Sequence, residues 1–500
     1  MPSLFPPAWV IDLRPVFANE RGVWLVGGAV RDHLLNRRSQ DLDFAVAGEA
    51  RRLARRVADH LRAEYFDLDP VRDAGRVLHL AADGSRWVLD FARLRGDTLE
   101  HDLTSRDFTL NALAVDLRQP AAWIDPTGGA ADLRAHRLRA CRPDSIVSDP
   151  VRALRAVRLA VSLSLRIEPA TIAQVRGAHG KIHLTSAERV RDEIVRTLDL
   201  PRPTAAVRLI DQLGLLPDVF PEVEALRGLR QPPQHAYDAL VHSLAVVDHT
   251  ADLLAVLAPQ ADEEASADLT LGLASVQLGR FRYPLQAVLS RELAGGRHLR
   301  PLVMLAALYH DVGKARTQSQ DEAGGIRFLE HEALGAEMAA AWAERMRFSR
   351  LEIDRLRLVV GNHMRPGQLE KSWPISRRAI YRYFRQLGEA GVDVVLLSLA
   401  DFLGKHTPPP PPVAWAGRLD TGRTLLEAFF ELNSQVVEPP RLVDGEVLMR
   451  SLALPPGRQV GQLLEAVREA QVEEQVTTPG EALEFARQLL ESGGPALAGG

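Results

Sequence analysis

The chain has 500 residues, 46% of them hydrophobic, enough apolar material for two or three cored domains rather than one. Its 61 basic and 65 acidic residues leave a formal net charge of -4, which neither advertises nor excludes a nucleic-acid partner, so any RNA contact must come from a local patch. A single cysteine, Cys141, excludes an intrachain disulfide and a cysteine-based zinc site; with no basic leader before an apolar core and no uninterrupted apolar run of about 18 residues, the expected compartment is the cytoplasm, without a membrane.

Residues 22–140 alternate short β-branched runs (VWLV, DLDFAV, RVLHLAA, RWVLDFA, ALAVDL) with one helical stretch, EARRLARRVADHLRAEY, a pattern that predicts an α/β domain with a mixed sheet. Within it, VWLVGGAVRDHLLNRRSQDLDFAV reads as strand, Gly-Gly turn, short helix, loop and second strand. Gly27 and Gly28 let backbone amides approach a phosphate, the helix start offers free N–H groups to an anion, and Arg31 can add a charged contact to a triphosphate. Strand side chains alternate, so Asp41 and Asp43 share one face while Leu42 and Phe44 turn to the core. Two carboxylates so placed can hold a pair of Mg²⁺ ions for phosphoryl transfer. A Gly-Gly alone is a plain turn and an Asp-x-Asp alone a solvated loop; their conjunction in one strand-turn-helix-strand unit points to chemistry.

From about Asp149 onward Leu, Ala and Val recur at helical spacing, as in DPVRALRAVRLAVSL, SAERVRDEIVRTL and RPLVMLAALYHDVGKA, and the remainder reads as all-α. In DPVRALRAVR, Asp149, Arg152, Arg155 and Arg158 lie three apart and share a helix face. One reading is an N-capping Asp with a solvated arginine face. The other follows from donor and acceptor inventory: a carboxylate that only accepts beside a guanidinium that only donates matches the edge of cytosine or adenine and opposes uracil and guanine.

GGAVRD followed by DLDF resembles the signature of the nucleotidyltransferase superfamily in its bacterial-type form, the tRNA CCA-adding enzymes and bacterial poly(A) polymerases. The likeness continues in family order through DLTSRDFTLNALAVD (102–116), DPTGGAADLRAHRLR (125–139), DPVRALRAVRLA (149–160) and ERVRDEI (188–194), covering roughly the first 230 residues. It implies metal binding by Asp41 and Asp43, base reading by Asp149 and Arg152, and nucleotide or phosphate contacts from Arg106, Arg155 and Arg158, with Asp107 and Asn111 in the sugar and hinge region. It also implies tRNA as partner, CTP and ATP as substrates, and no obligate protein partner. Two departures stand out. Ser148 replaces the Glu that usually precedes this Asp, and the link from DFARLRGD to TLEHDL is short where many CCA-adding members carry a flexible loop that lets the site switch from CTP to ATP. The short link points to addition of CC, or of A alone.

Residues 235–405 carry HAYDALVHSL, LYHDVGKA, FLEHEALGAEM, VVGNHMRP and LSLADFLGKH. His242, the adjacent His310 and Asp311, and Asp401 resemble the ligand set of HD-domain phosphohydrolases, and His331 and His363 match the extra ligands of two-metal members. Imidazole with carboxylate suits Mn, Ni, Fe or Zn. This domain implies a phosphohydrolase acting on RNA ends; an inactive helical scaffold for tRNA is the competing reading.

The expected fold class is therefore α+β: a nucleotidyltransferase domain over 1–147, an all-α neck and body over 148–230, an HD-type domain over 231–407, then a proline linker (Pro408–Pro412) and small helical tail over 408–500. A poly(A) polymerase or A-adding enzyme is the same-fold alternative, and an HD phosphohydrolase with a non-catalytic RNA-binding N-terminal half the alternative of another class.

Overall fold

A computed structural model describes residues 6–81, 83–117, 123–233, 235–260 and 268–492. Its chain packs as two units: residues 1–193 with 208–219, and residues 194–207 with 220–500.

The first unit is built on a seven-stranded mixed sheet of β1 (Val23–Val26), β2 (Asp41–Val46), β3 (Glu64–Asp69), β4 (Ala74–Leu80), β5 (Arg86–Arg93), β6 (Ala114–Asp116) and β7 (Trp123–Ile124), in the order β3-β4-β5-β2-β1-β6-β7. Only β2 and β5 run parallel, and their register sets Asp43 opposite Asp90. The helix Ala50–Leu61 buries Leu53, Ala54 and Val57. It is shorter than its sequence pattern suggests. Arg62 turns left-handed (φ 52°) and closes it, and the next residues, EYFDLD, pair as β3 with β4, a strand whose start the helical pattern overruns. Pairing to β4 outweighs local propensity.

No break in packing falls at residue 148. The helix Val151–Ser162 is tied back to the sheet domain: Arg152 donates to the Ser145 carbonyl (3.0 Å), and Arg155 donates to Asp107 (3.0 Å). Gly129 sits so close to the loop after Phe108 that an added Cβ would lie 2.0 Å from the Thr109 carbonyl oxygen, which explains a glycine at the start of the helix Gly129–Arg134.

Among the described residues the second unit is helical apart from a short hairpin, Gln318–Gln320 with Ile326–Phe328. Its longest apolar helix, Ala239–Val256, has the length and hydropathy of a membrane span, yet two-thirds of it is buried and it carries His242 inward, as a core helix does. The proline run does not act as a spacer to the tail. It ends at once in the helix Pro412–Phe430, whose Trp415 stacks on Phe402 (5.7 Å) and donates to the Thr270 carbonyl (3.1 Å), so this helix belongs with the preceding bundle. Pro411 and Pro412 serve as helix-starting residues, where a missing N–H costs nothing. Three last helices, Gly445–Leu452, Arg458–Val472 and Pro479–Glu491, close a separate apolar cluster around Leu448, Leu463 and Ala482.

Candidate active site and metal centre

The sheet delivers the carboxylates. Along β2, Leu42 and Phe44 are buried while Asp41 and Asp43 are exposed on the other face, as alternation requires. Neither side chain accepts a hydrogen bond from a described residue, so both keep unspent acceptors. Across the parallel pairing stands Asp90, a carboxylate that spacing along the sequence does not link to the pair. Arg76 of β4, directly opposite, holds Asp90 with two donors at 2.8 Å each. Asp43 keeps an open edge toward solvent but is crowded by protein on its other sides. That crowding, with the Asp90 and Asp41 charges, pushes its carboxyl up to about 6 against the pull of Arg106. Stacked acceptors whose mutual repulsion a divalent cation would relieve fit metal binding.

Gly27 has φ 76°, and a side chain there would crowd Arg106 Nη1 at 3.0 Å and Asp43 Oδ2 at 3.4 Å. Glycine therefore leaves the space beside the carboxylates open. Gly28 begins the helix Gly28–Leu34. Arg31 is held by Asp32 (2.8 Å) and by the Asn111 side-chain oxygen (2.6 Å), and Asn111 in turn donates to Asp107 (3.0 Å). Arg106 leans on Asp102 (3.0 and 3.2 Å), a buried residue of DLTSRDF that also accepts from the Arg95 backbone. Asp107 is buried, which opposes its charge, but Arg155, Asn111 and the Phe108 N–H hold it below the usual carboxylate range. Asp102 and Asp90 are the residues that motif spacing missed.

Asp149 and Arg152 are also brought together. Pro150, not Asp149, occupies the N-cap of Val151–Ser162, and no side-chain cap bond forms there, so the capping reading of Asp149 does not hold. Its carboxylate instead accepts from both forks of Arg189 (3.0 and 2.7 Å) and lies 3.5 Å from Arg152 Nε. Arg155 and Arg158 are not a solvated face. They converge on the buried Glu193, each donating Nε at 2.8 Å.

The second unit brings all six HD-type residues together. His242, His310 and Asp401 place one nitrogen or oxygen each within 4.8 Å of one another, and Asp311, His331 and His363 do the same. Asp311 joins the two groups: Oδ2 meets His310 at 3.2 Å and His242 at 3.3 Å, while Oδ1 meets His331 at 3.4 Å and His363 at 3.8 Å. The Nδ1 atoms of His310, His331 and His363 each lie 2.8 Å from a backbone carbonyl, of Ala307, Phe328 and Val360. That contact puts the proton on Nδ1 and turns the Nε2 lone pair into the cluster, as a metal-ligating imidazole requires. His331 Nε2 is buried and, among the described residues, forms no well-aligned hydrogen bond, its contact with Asp311 Oδ1 at 3.4 Å included. Burial works against a charged imidazole, yet Asp311 and Asp401 push His242 up to about 9; burial and His310 push His363 down to about 4. Lys314, buried, donates to Asp311 (2.6 Å) and Gln231 (2.7 Å), a partner the sequence reading did not single out.

A mixed sheet with aligned aspartates and a helical unit that gathers six histidine and aspartate side chains give the chain two candidate centres. The chain matches the poly A polymerase head domain over residues 23–139, the probable RNA and SrmB-binding site of polymerase A over 164–226, and the HD domain over 287–401. It is 33% identical over 476 residues to the CC-adding tRNA nucleotidyltransferase of Thermus thermophilus, covering 94% of each chain. It is 32% identical over 481 residues to the A-adding tRNA nucleotidyltransferase of Deinococcus radiodurans, covering 94% of this chain and 96% of that one. A solved CCA-adding enzyme in apo form shares the fold, with TM-score 0.60 and 19% identity over 97% of this chain and 95% of that one. The chain belongs to the bacterial-type tRNA nucleotidyltransferase family, in its HD-domain-bearing form.

Proposed function

We propose that this enzyme adds C residues to the 3′ end of tRNA from CTP, completing CC and leaving the terminal A to another activity. The observation that carries this reading is the link between β5, ending at Arg93, and the helix beginning at Leu99: it spans only residues 94–98, with no room for a nucleotide-switching loop. The Thermus relative, named for CC addition, supports it. A-addition is the second reading, favoured by the nearly equal identity to the Deinococcus enzyme.

Asp41 and Asp43 are the proposed metal ligands, with Mg²⁺ as the ion. Bound there, the cations would lower the pKa of the tRNA 3′-hydroxyl and neutralise charge on departing pyrophosphate. Asp90 supplies a third carboxylate beside the attack position. Gly27 and Gly28 leave room for the triphosphate, and Arg31, Arg106, Arg155 and Arg158 supply its counter-charge, with Asn111 orienting Arg31 and Asp107 orienting Arg155. Asp149 accepts from the base amino group and Arg152 donates to the adjacent acceptor, which favours C and A over U and G. In the second unit, His242, His310, Asp311, His331, His363 and Asp401 would hold one or two transition-metal ions such as Mn, Ni, Fe or Zn, for hydrolysis of phosphate or 2′,3′-cyclic phosphate at RNA ends.

The deciding assay supplies labelled CTP, ATP, UTP and GTP singly and in pairs to tRNA ending before the first C, after the first, and after the second. Two C residues and a stop support the reading. A single A added to tRNA ending in CC, without C addition, overturns it, and a long A tail would mark a poly(A) polymerase.

A further inference from the structure

We infer that Arg189 is a positioning residue for nucleotide selection, setting the plane of the Asp149 carboxylate against which the incoming base is read. The inference rests on the proposed base-reading role of Asp149 and Arg152.

The geometry is that of a clamp. Arg189 lies on the neighbouring helix Ala187–Leu198 and donates Nη1 to one Asp149 oxygen (3.0 Å) and Nη2 to the other (2.7 Å). Two parallel bonds from a planar guanidinium fix both the position and the rotation of a carboxylate, which a single bond or point charge does not. Each carboxylate oxygen has two acceptor directions, so the clamp uses one on each and leaves others for a base amino group. Arg152 is oriented separately, by the carbonyls of Ser145 (3.0 Å) and Ser105 (3.5 Å). Ser148, at the position before Asp149, takes no part: its hydroxyl donates to the Ser145 carbonyl (3.1 Å). Among the described residues, Arg189 supplies both hydrogen bonds to the Asp149 carboxylate, and Arg152 Nε adds an ion-pair contact at 3.5 Å.

Selection against U and G needs the acceptor to face the base squarely. A carboxylate free to rotate could turn away from a uracil carbonyl and relax the repulsion that excludes it.

The test compares Arg189→Lys and Arg189→Gln with the parent for single-nucleotide incorporation, reading kcat/KM for CTP and UTP, with thermal midpoints measured alongside. Arg189→Lys keeps charge but loses the fork, and the expected result is a fall of about tenfold or more in the C-over-U ratio with a smaller loss of CTP use. Arg189→Gln should fall further. An equal loss with both nucleotides, or an unchanged ratio, overturns the inference. Asp149→Ala is run in parallel: if it too leaves the ratio unchanged, the base-reading proposal itself fails, whereas a relaxed ratio in Asp149→Ala alone fails only the role of Arg189.

Discussion

Asp43 and Asp90 stand opposite one another on the only parallel strand pair in the sheet, 47 residues apart in the chain and adjacent in register. Parallel pairing puts both side chains on one face, so the aspartate pair of β2 becomes a three-carboxylate edge. Replacing Asp90 by Asn should keep the shape and the bonding to Arg76 in part, while lowering nucleotide addition by about a hundredfold or more, as loss of a positioned proton acceptor or ligand does. Single-turnover addition of CTP to truncated tRNA measures it, and a rate within a factor of two of the parent would remove Asp90 from the mechanism.

The raised position of Asp43, about 6, gives a pH dependence with a definite sign. A carboxyl whose folded-state value lies above its ordinary one is protonated as pH falls through that value, and protons then compete with metal. Affinity for Mn²⁺, read by electron paramagnetic resonance with His310→Ala suppressing the second centre, should be flat above pH 7. It should fall by about tenfold per unit below 6. An affinity that stays constant to pH 5 contradicts the crowding described around Asp43.

The proposed HD centre should be separable from nucleotide addition, because its six residues lie in the second packing unit and the β2 carboxylates in the first. Hydrolysis of a 2′,3′-cyclic nucleotide in Mn²⁺ or Ni²⁺ is expected in the parent and lost in His310→Ala, with CTP incorporation retained. Absence of hydrolysis in the parent under every metal tried would favour the scaffold reading.

Glu193 holds two arginines at once, and it is almost fully buried. Its carboxyl is opposed by burial and drawn below the usual range by Arg158 and Arg155. Removal in Glu193→Ala leaves partly buried cations without a partner and should cost about 3 kcal/mol, seen as a lower denaturant midpoint for the first unit. Glu193→Gln should recover part of that. A change under about 0.5 kcal/mol would mean that Asp107 alone suffices for Arg155.

Much of this was legible from residue order, and the exceptions share one physical cause. Gly27, Gly28, Asp41 and Asp43 are consecutive in a single supersecondary unit, and alternation along one strand predicts their shared face. The six HD residues announce themselves as rare residue types in a mostly apolar background. Asp90 and Arg189 do neither: each acquires its place through pairing between distant segments, β2 with β5 and Val151–Ser162 with Ala187–Leu198. The strand β3 was hidden because EY continues a helical pattern and only Arg62, in a left-handed turn, breaks it. Arg155 and Arg158 looked solvent-facing by spacing because the partner that covers them, Glu193, lies 35 or more residues away.

The sharing of Asp311 between the two histidine groups has a thermodynamic consequence. One carboxylate presents an oxygen to each group, so, were an ion bound in each, the charge that either met would depend on its neighbour. Occupancy of the two proposed positions would then be linked, and linkage is reciprocal. Partial loading would then yield a mixture of empty and doubly filled molecules or a dominant half-filled species, according to the sign of the coupling. Activity against added metal would follow a curve whose steepness reports on that one shared side chain.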